Sequence, residues 1–139
     1  MATYYCKWNL FPNYRSFYKH SEFGFTKPIL FIQNKFTVEW RIGPINYISL
    51  VALDNFLKGV HEKYDVVYSR PNNVGRSAGY SNDDNTEVNY PDVEIISKYP
   101  NVINLERLCA ESGKNYNRTK LEILAKAHVF VGVQGGGSH

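Results

Sequence analysis

The sequence predicts an α/β domain in which a mostly parallel sheet of about four strands lies between two layers of helices. Short, continuously apolar runs recur along the chain, and such runs are typical of strands that are buried on both faces. These runs alternate with stretches of helical periodicity, which favours parallel strands joined by crossover helices. Hydrophobic residues make up 43% of the 139 residues, enough to build the core of one domain. The predicted architecture is therefore a Rossmann-like three-layer domain.

Two regions are predicted: an aromatic N-terminal arm at residues 1–26 and the α/β domain at residues 27–139. Aromatic residues make up 15% of the chain, including 11 Tyr and 8 Phe, and they are concentrated near its beginning. The arm has no clean period, so we expect an irregular segment or a short helix. Its many rings favour packing onto the domain, because a linker would be poor in aromatic residues.

The first half of the domain contains two predicted strands and one helix. Residues 29–32 and 66–68 are continuously apolar and predict the first two strands. Between them, apolar residues recur at helical spacing over 45–63, which predicts a helix with Pro44 in its first turn. Residues 72–90 are rich in Asn, Gly, Ser and Asp, and we expect a long surface loop there.

The second half of the domain is predicted to contain helices at 91–98, 105–111 and 118–127 and strands at 102–103 and 129–133. Asn104 or Asn117 can cap a helix, because the side-chain oxygen accepts a hydrogen bond from a main-chain N–H group of the first turn. The last helix is expected to bury Leu121, Leu124 and Ala125 on one face.

Charge and cysteine content narrow the classes of function. The formal charge of +3 is mild and the basic residues are scattered, whereas a nucleic-acid-binding protein normally has a clustered basic surface. Cys6 and Cys109 match no metal-ligand spacing, and we expect neither a metal ion nor a cofactor. The chain has no N-terminal leader and no apolar run of about 18 residues, which predicts a cytoplasmic protein without a transmembrane segment.

The segment after the first strand is the first candidate for a ligand site, because open parallel sheets bind ligands beyond the carboxyl ends of their strands. Asn34, Lys35 and Arg41 are candidates for binding an anion such as a phosphate. Glu39 is the candidate catalytic residue, as a general base for a hydroxyl nucleophile. The alternative is that these charges are solvated and that Trp40 packs against the edge of the sheet.

Two further segments follow predicted strands. Arg70, with Asn72 beyond it, is placed to bind a phosphate or carboxylate, although a structural ion pair explains an arginine here equally well. The last strand leads into a glycine-rich turn whose main chain can approach a ligand closely. The alternative for the turn is a flexible tail. The candidate binding residues in this turn are Gln134, Gly135, Gly136, Gly137 and Ser138.

The order of these motifs resembles a known family. The chain reads NKFTVEW and then GPIN after the first strand, YDVVYSRP and YPNVINLERL in the middle, and VQGGGS after the last strand. Residues 27–139 are thereby similar to polysaccharide-biosynthesis glycosyltransferase-like proteins, which are found in bacteria and large viruses. The matching residues are Asn34, Lys35, Glu39, Trp40, Gly43, Pro44 and Asn46 in the first loop, and Gln134, Gly135, Gly136 and Ser138 in the last turn.

The resemblance implies a Rossmann-like domain that transfers a sugar from a nucleotide-sugar donor to a glycan acceptor. It also implies further strand–helix units after the glycine turn, so we expect either the N-terminal portion of a longer enzyme or a reduced, inactive relative. The alternative function is a non-catalytic binding or assembly module that forms a homodimer through an exposed sheet edge or the aromatic arm. A different nucleotide-using enzyme on the same fold is the third possibility.

Overall fold

The structure is a computed structural model, which describes residues 23–36, 38–39, 43–70 and 90–133, with the main chain only at 38–39 and 43. The strands are β1 (Ile29–Gln33), β2 (Val38–Glu39), β3 (Gly43–Pro44), β4 (Asp65–Ser69), β5 (Val102–Asn104) and β6 (Val129–Gly132). The helices are α1 (Leu50–Val60), α2 (Asp92–Ile96), α3 (Leu105–Ser112) and α4 (Tyr116–Leu124).

The main sheet confirms the predicted architecture. Its four strands run in the order β5-β4-β1-β6, and all neighbouring pairs are parallel. β1 and β4 are almost wholly buried, as their continuous apolar sequences predict. β6 instead alternates between half-buried and exposed residues, because it lies at one edge of the described sheet. The prediction of strands buried on both faces is therefore right for the centre of the sheet and wrong for β6.

Each face of the sheet packs against its own pair of helices. On the first face, Leu30 and Ile32 of β1 contact Leu53 and Leu57 of α1, and the same cluster includes Ile96 of α2. On the second face, a separate cluster packs residues of β1 and β4 against α3 and α4. Its members are Ile29, Phe31, Val67, Leu105, Cys109 and Ile123. The two-residue period of a strand sends successive side chains to opposite faces, which produces the three layers.

Helix α1 is shorter than the periodicity of residues 45–63 predicts, and Pro44 does not lie in its first turn. The helix begins after Ser49, whose side chain accepts a hydrogen bond from the main-chain nitrogen of Ala52. Asn46 has a φ of 53°, a left-handed conformation that no right-handed helix can contain. Pro44 instead pairs with Val38 in the antiparallel β2–β3 ladder, which the sequence did not predict.

Helices α3 and α4 lie close to their predicted positions, with two corrections. Asn104 caps α3 as expected, but α4 begins at Tyr116 and is capped by Asn115, not Asn117. The predicted apolar face of α4 is right for Leu124, which packs against the second-face cluster, and wrong for Leu121, which is 55% exposed. The buried residues of the helix are Thr119 and Ile123.

Four other predictions differ from the structure in their boundaries or fall partly outside the described residues. Helix α2 spans Asp92–Ile96, shorter than the predicted 91–98. The last strand ends at Gly132 and not at residue 133. From the arm, Phe23 and Phe25 pack against the second-face cluster, while residues 1–22 lie outside the described residues. The predicted loop at 72–90 also lies outside, apart from the buried Tyr90.

Candidate functional site

The carboxyl ends of β4, β1 and β6 lie side by side on one edge of the sheet, as the sequence predicts. Gln33 at the end of β1 is in register with Ser69 of β4 and Gly132 of β6. The main-chain nitrogen of Asn34 donates to the carbonyl of Ser69 (2.9 Å), and that of Val133 donates to the carbonyl of Gln33 (3.2 Å). We call this edge, formed by residues 33–36, 69–70 and 132–133, the carboxyl rim.

The strand order places a topological switch point at the carboxyl rim. From β1 the chain passes through α1 on the first face to β4 and then to β5. It returns through α3 and α4 on the second face to β6, on the other side of β1. The direction of the strand order therefore reverses between β1 and β6, and ligands of open α/β sheets bind in the crevice at such a reversal.

Asn34, a predicted ligand-binding residue, lies at the rim but is fully buried and bonded to protein. Its side-chain oxygen accepts from the main-chain nitrogens of Lys35 (2.9 Å) and Ile48 (2.8 Å). Its amide nitrogen donates to the carbonyl of Ile48 (3.3 Å) and to the hydroxyl of Tyr68 (3.0 Å). These hydrogen bonds join the two ends of the segment between β1 and α1. Asn34 therefore stabilises the conformation of this loop.

Arg70, a second predicted ligand-binding residue, forms a buried ion pair with Asp92. Its Nε lies 2.5 Å from Asp92 Oδ2, its Nη2 lies 2.8 Å from Oδ1, and the two residues are 4% and 0% exposed. Burial acts to lower the pKa of Arg70, but the hydrogen bonds and charge of Asp92 outweigh it and raise the pKa. The structural ion pair is thus the interpretation of Arg70 that matches the observed contacts.

Tyr68 links the Arg70 ion pair to Asn34. Its hydroxyl donates to Asp92 Oδ2 (2.5 Å) and accepts from Asn34. Burial, followed by the nearby charge of Asp92, raises the pKa of Tyr68, so the phenol stays neutral. Asn34, Tyr68, Asp92 and Arg70 therefore form one buried network on the first face, directly below the carboxyl rim.

A second polar group lies on the opposite face of the sheet below the same rim. Ser69 Oγ donates to Oε1 of Glu106 (2.8 Å) and lies 2.7 Å from the hydroxyl of Tyr116. Glu106 is 1% exposed, and burial raises the pKa of its carboxyl to about 7. Burial also lowers the pKa of Lys120, on the same side of α4 as Tyr116. Strongly shifted pKa values cluster at functional sites, so Glu106 is a candidate functional residue below the carboxyl rim.

An aromatic cluster adjoins the rim. It consists of Phe36 and Tyr47, on the loop between β1 and α1, and of Tyr90, which precedes α2. The rings of Phe36 and Tyr90 stack with centroids 4.0 Å apart, and Tyr47 meets both edge-on at 4.9 and 5.7 Å. Tyr90 is anchored from below, because its hydroxyl donates to the carbonyl of Ile48 (2.6 Å). Tyr47 is 42% exposed, so the cluster offers an aromatic surface to a ligand at the rim.

The remaining predicted site residues are placed in part. Lys35 is half-buried at the start of the loop that leaves β1. The main chain of Glu39, the candidate base, pairs with that of Gly43 in the β2–β3 ladder. Glu39 therefore lies on the same loop between β1 and α1 as Lys35. The other candidates, Arg41, Asn72, Gln134, Gly135, Gly136, Gly137 and Ser138, lie outside the described residues.

Sequence reasoning missed Tyr68, Asp92, Glu106 and Tyr116. Tyr68 lies inside an apolar run, and an acidic residue in the first turn of a helix, as at Asp92 and Glu106, is common for electrostatic reasons alone. Their shared location depends on the strand order, which no local pattern contains. The sequence offered one signal for these partners. Ser69 and Arg70 directly follow the buried apolar run at 66–68, and buried polar side chains need hydrogen-bond partners.

Metal sites, membrane spans and relatives add no further constraint. Within the described residues, no group of three or more His, Cys, Asp or Glu side chains is placed to hold a metal ion. None of the helices in that part of the chain has the length and apolar character needed to cross a bilayer. Comparison with known proteins finds no family model, curated protein or solved structure that matches the chain.

Proposed function

We propose that this chain is the nucleotide-sugar-binding domain of a glycosyltransferase, and that the donor binds at the carboxyl rim between β1 and β6. The observation that carries the proposal is the switch point in the sheet order, at which nucleotide-binding α/β domains bind their ligands. The resemblance of residues 27–139 to polysaccharide-biosynthesis glycosyltransferase-like proteins adds the sugar-transfer chemistry, because the two motifs that carry it follow β1 and β6.

The rim offers suitable groups for each part of such a donor. The glycine-rich turn at 135–137 follows β6 and would let main-chain N–H groups approach the diphosphate. The exposed ring of Tyr47 would stack on a base or a sugar. Arg70 is not assigned to the diphosphate, because Asp92 already neutralises its charge.

The proposed reaction needs a base for the acceptor hydroxyl, and Glu39 is the candidate. The hydroxyl oxygen bonds to the anomeric carbon while its proton moves to the carboxylate. The bond from the anomeric carbon to the phosphate oxygen breaks at the same time, and its electron pair leaves with the nucleoside diphosphate. The negative charge that develops on this leaving group is stabilised by N–H dipoles at the rim.

Isothermal titration calorimetry with a panel of nucleoside-diphosphate sugars tests donor binding. One member of the panel is expected to bind, and Gly136→Val is expected to abolish its binding by blocking the approach of the diphosphate. Gly59→Ala is the matched control, because a Cβ at this position in α1 meets nothing within 4 Å. Absence of binding by every member, or equal affinity of Gly136→Val and the unmodified protein, would refute the proposed site.

The proposed base is tested separately by single-turnover sugar transfer. Glu39→Gln is expected to bind the donor normally and to lose transfer, because the amide cannot accept the proton. Normal transfer by Glu39→Gln would exclude Glu39 as the base, and would leave the binding result unaffected.

One observation favours a second candidate, an assembly module that dimerises through the edge of the sheet. β6 is the edge strand of the described sheet, and Phe130 on it is 42% exposed while its ring stacks on Phe31. Unpaired strand edges with exposed apolar residues favour association. Analytical ultracentrifugation should then show a dimer that Phe130→Lys converts to monomer, and a monomer at all concentrations would exclude this candidate.

A further inference from the structure

Two buried side-chain oxygens in the second-face polar group have no hydrogen-bond partner in the described part of the chain. They are Oε2 of Glu106 and Oε1 of Gln33, and the two residues are 1% and 7% exposed. Both atoms are acceptors when Glu106 is ionised, and neither receives a hydrogen bond from a described residue, although the Tyr116 hydroxyl and the main-chain N–H of Arg70 act on the Glu106 carboxyl and lower its pKa. Unsatisfied buried acceptors are rare in folded proteins and call for an explanation.

The sheet register places these two residues in the same polar layer. Gln33 is in register with Ser69 on the neighbouring parallel strand, so both side chains leave the sheet on the same face. Ser69 in turn donates to Oε1 of Glu106, which occupies that oxygen and leaves only Oε2 available. The amide nitrogen of Gln33 already donates to the carbonyl of Asn34 (3.2 Å), which directs its Oε1 away from that bond.

We infer that the hydrogen-bonded form of Glu106 is the protonated, neutral acid and that the proton on its Oε2 is donated to Oε1 of Gln33. A single proton then supplies the missing donor and satisfies both unpartnered oxygens. The neutral form also retains the observed bond from Ser69, because Oε1 still accepts. This inference goes beyond the proposed sugar transfer and does not depend on it.

The charges around Glu106 are consistent with the neutral form. Arg70 lies nearby at the end of β4, but its charge is compensated by Asp92. Lys120 on α4 is half-buried, and burial lowers its pKa, while the charge of an ionised Glu106 acts to raise it. Tyr116 of α4 and Cys109 of α3 are neutral neighbours whose pKa values are raised, first of all by burial.

The consequence for the rim is that its second face loses the negative charge of Glu106 as the pH falls through about 7. An ionised carboxylate below the end of β4 would repel an anionic ligand, and ionisation of Glu106 above neutrality would introduce that repulsion. The proton on Glu106 therefore makes the site sensitive to pH in the neutral range. A carboxyl group held neutral by its surroundings so that it can donate a hydrogen bond is an established device in protein sites.

Carbon-13 NMR of protein labelled at the glutamate side-chain carboxyl carbons tests the inference directly. The Glu106 signal, identified by its absence in Glu106→Gln and by through-bond correlation to its main chain, is expected to titrate near pH 7. Titration of Glu106 near the ordinary glutamate value of 4.5 would overturn the inference.

The role of Gln33 is tested by Gln33→Ala in the same experiment. Loss of the acceptor removes a hydrogen bond made only by the neutral acid, and the space left by the side chain admits water. Both effects favour ionisation, so the Glu106 midpoint should fall towards the ordinary glutamate value of 4.5. A midpoint unchanged by Gln33→Ala would show that the proton is not shared with Gln33.

Discussion

Removal of the carboxylate of Asp92 should destabilise the protein more than removal of any exposed charge. Asp92 accepts hydrogen bonds from Tyr68 and twice from Arg70, and it is fully buried. In Asp92→Ala the guanidinium of Arg70 stays in a site that is 4% exposed and has lost its counter-ion. Leaving one partner of a buried ion pair uncompensated costs about 3–5 kcal/mol.

That loss is a large part of the total stability of a domain of this size, which is about 5–15 kcal/mol. The double variant Arg70→Met/Asp92→Ala removes both charges and fills much of the volume of Arg70 with an apolar side chain. Because a buried pair gains little over well-packed apolar residues, the double variant should be more stable than Asp92→Ala by about 2 kcal/mol or more. A double variant that is more stable than Asp92→Ala would show that the charges of Arg70 and Asp92 compensate each other. Independent contributions would add, and the double variant would then be the less stable of the two.

Urea unfolding at pH 7, followed by far-ultraviolet circular dichroism, measures these differences. Glu111→Ala is the matched control, because its exposed i,i+4 ion pair with Arg107 is screened by solvent and contributes little to stability. If Asp92→Ala does not fold, the double variant should still fold. Its folding would show the same compensation between the two charges. Equal losses in Asp92→Ala and Glu111→Ala, or a double variant less stable than Asp92→Ala, would refute the reasoning.

Three further predictions concern packing, the first loop and pH. Ile123→Ala should cost about 2–5 kcal/mol in the same urea assay and Leu121→Ala less than about 0.5 kcal/mol, and the reverse order would contradict the observed face of α4. Asn34→Ala should cost at least about 1–3 kcal/mol, because the N–H of Ile48 loses its acceptor, and a neutral result would show that the loop does not need this bond. Glu106 has a raised pKa of about 7 against an ordinary 4.5, so its contribution to stability is present below pH 4.5 and is lost as pH rises through about 7. The stability of Glu106→Gln relative to the unmodified protein should therefore rise by about 3 kcal/mol across that window, and a flat difference would contradict the shift.

The central architecture is predictable from the sequence because burial on two faces leaves a continuous apolar signature. Ile29–Gln33 and Asp65–Ser69 have that signature, and both are central parallel strands. Helix ends were less predictable. Asn115 and Asn117 are equally good caps in sequence, and local spacing does not decide between them. Asn46 and its left-handed main chain were also not visible in a pattern of apolar spacing.

The candidate site was predictable in position but not in composition. The rule that ligands bind beyond the carboxyl ends of parallel strands selected residues 33–35 and 69–70 correctly as members of one rim. It did not predict that Asn34 and Arg70 would be used by the protein itself, because their partners Ile48 and Asp92 are distant in sequence. Long-range pairings of this kind depend on the strand order, and local periodicity does not determine strand order.

The most direct test of the account is a map of main-chain amide chemical shifts as the bound nucleoside-diphosphate sugar is added to nitrogen-15-labelled protein. The account predicts changes at the carboxyl rim, at residues 33–36, 69–70 and 132–133. It predicts none at the opposite ends of the same strands, near Ile29, Asp65 and Val129. Shifts confined to those opposite ends, or no shift with any nucleotide sugar, would contradict the placement of the ligand at the switch point between β1 and β6.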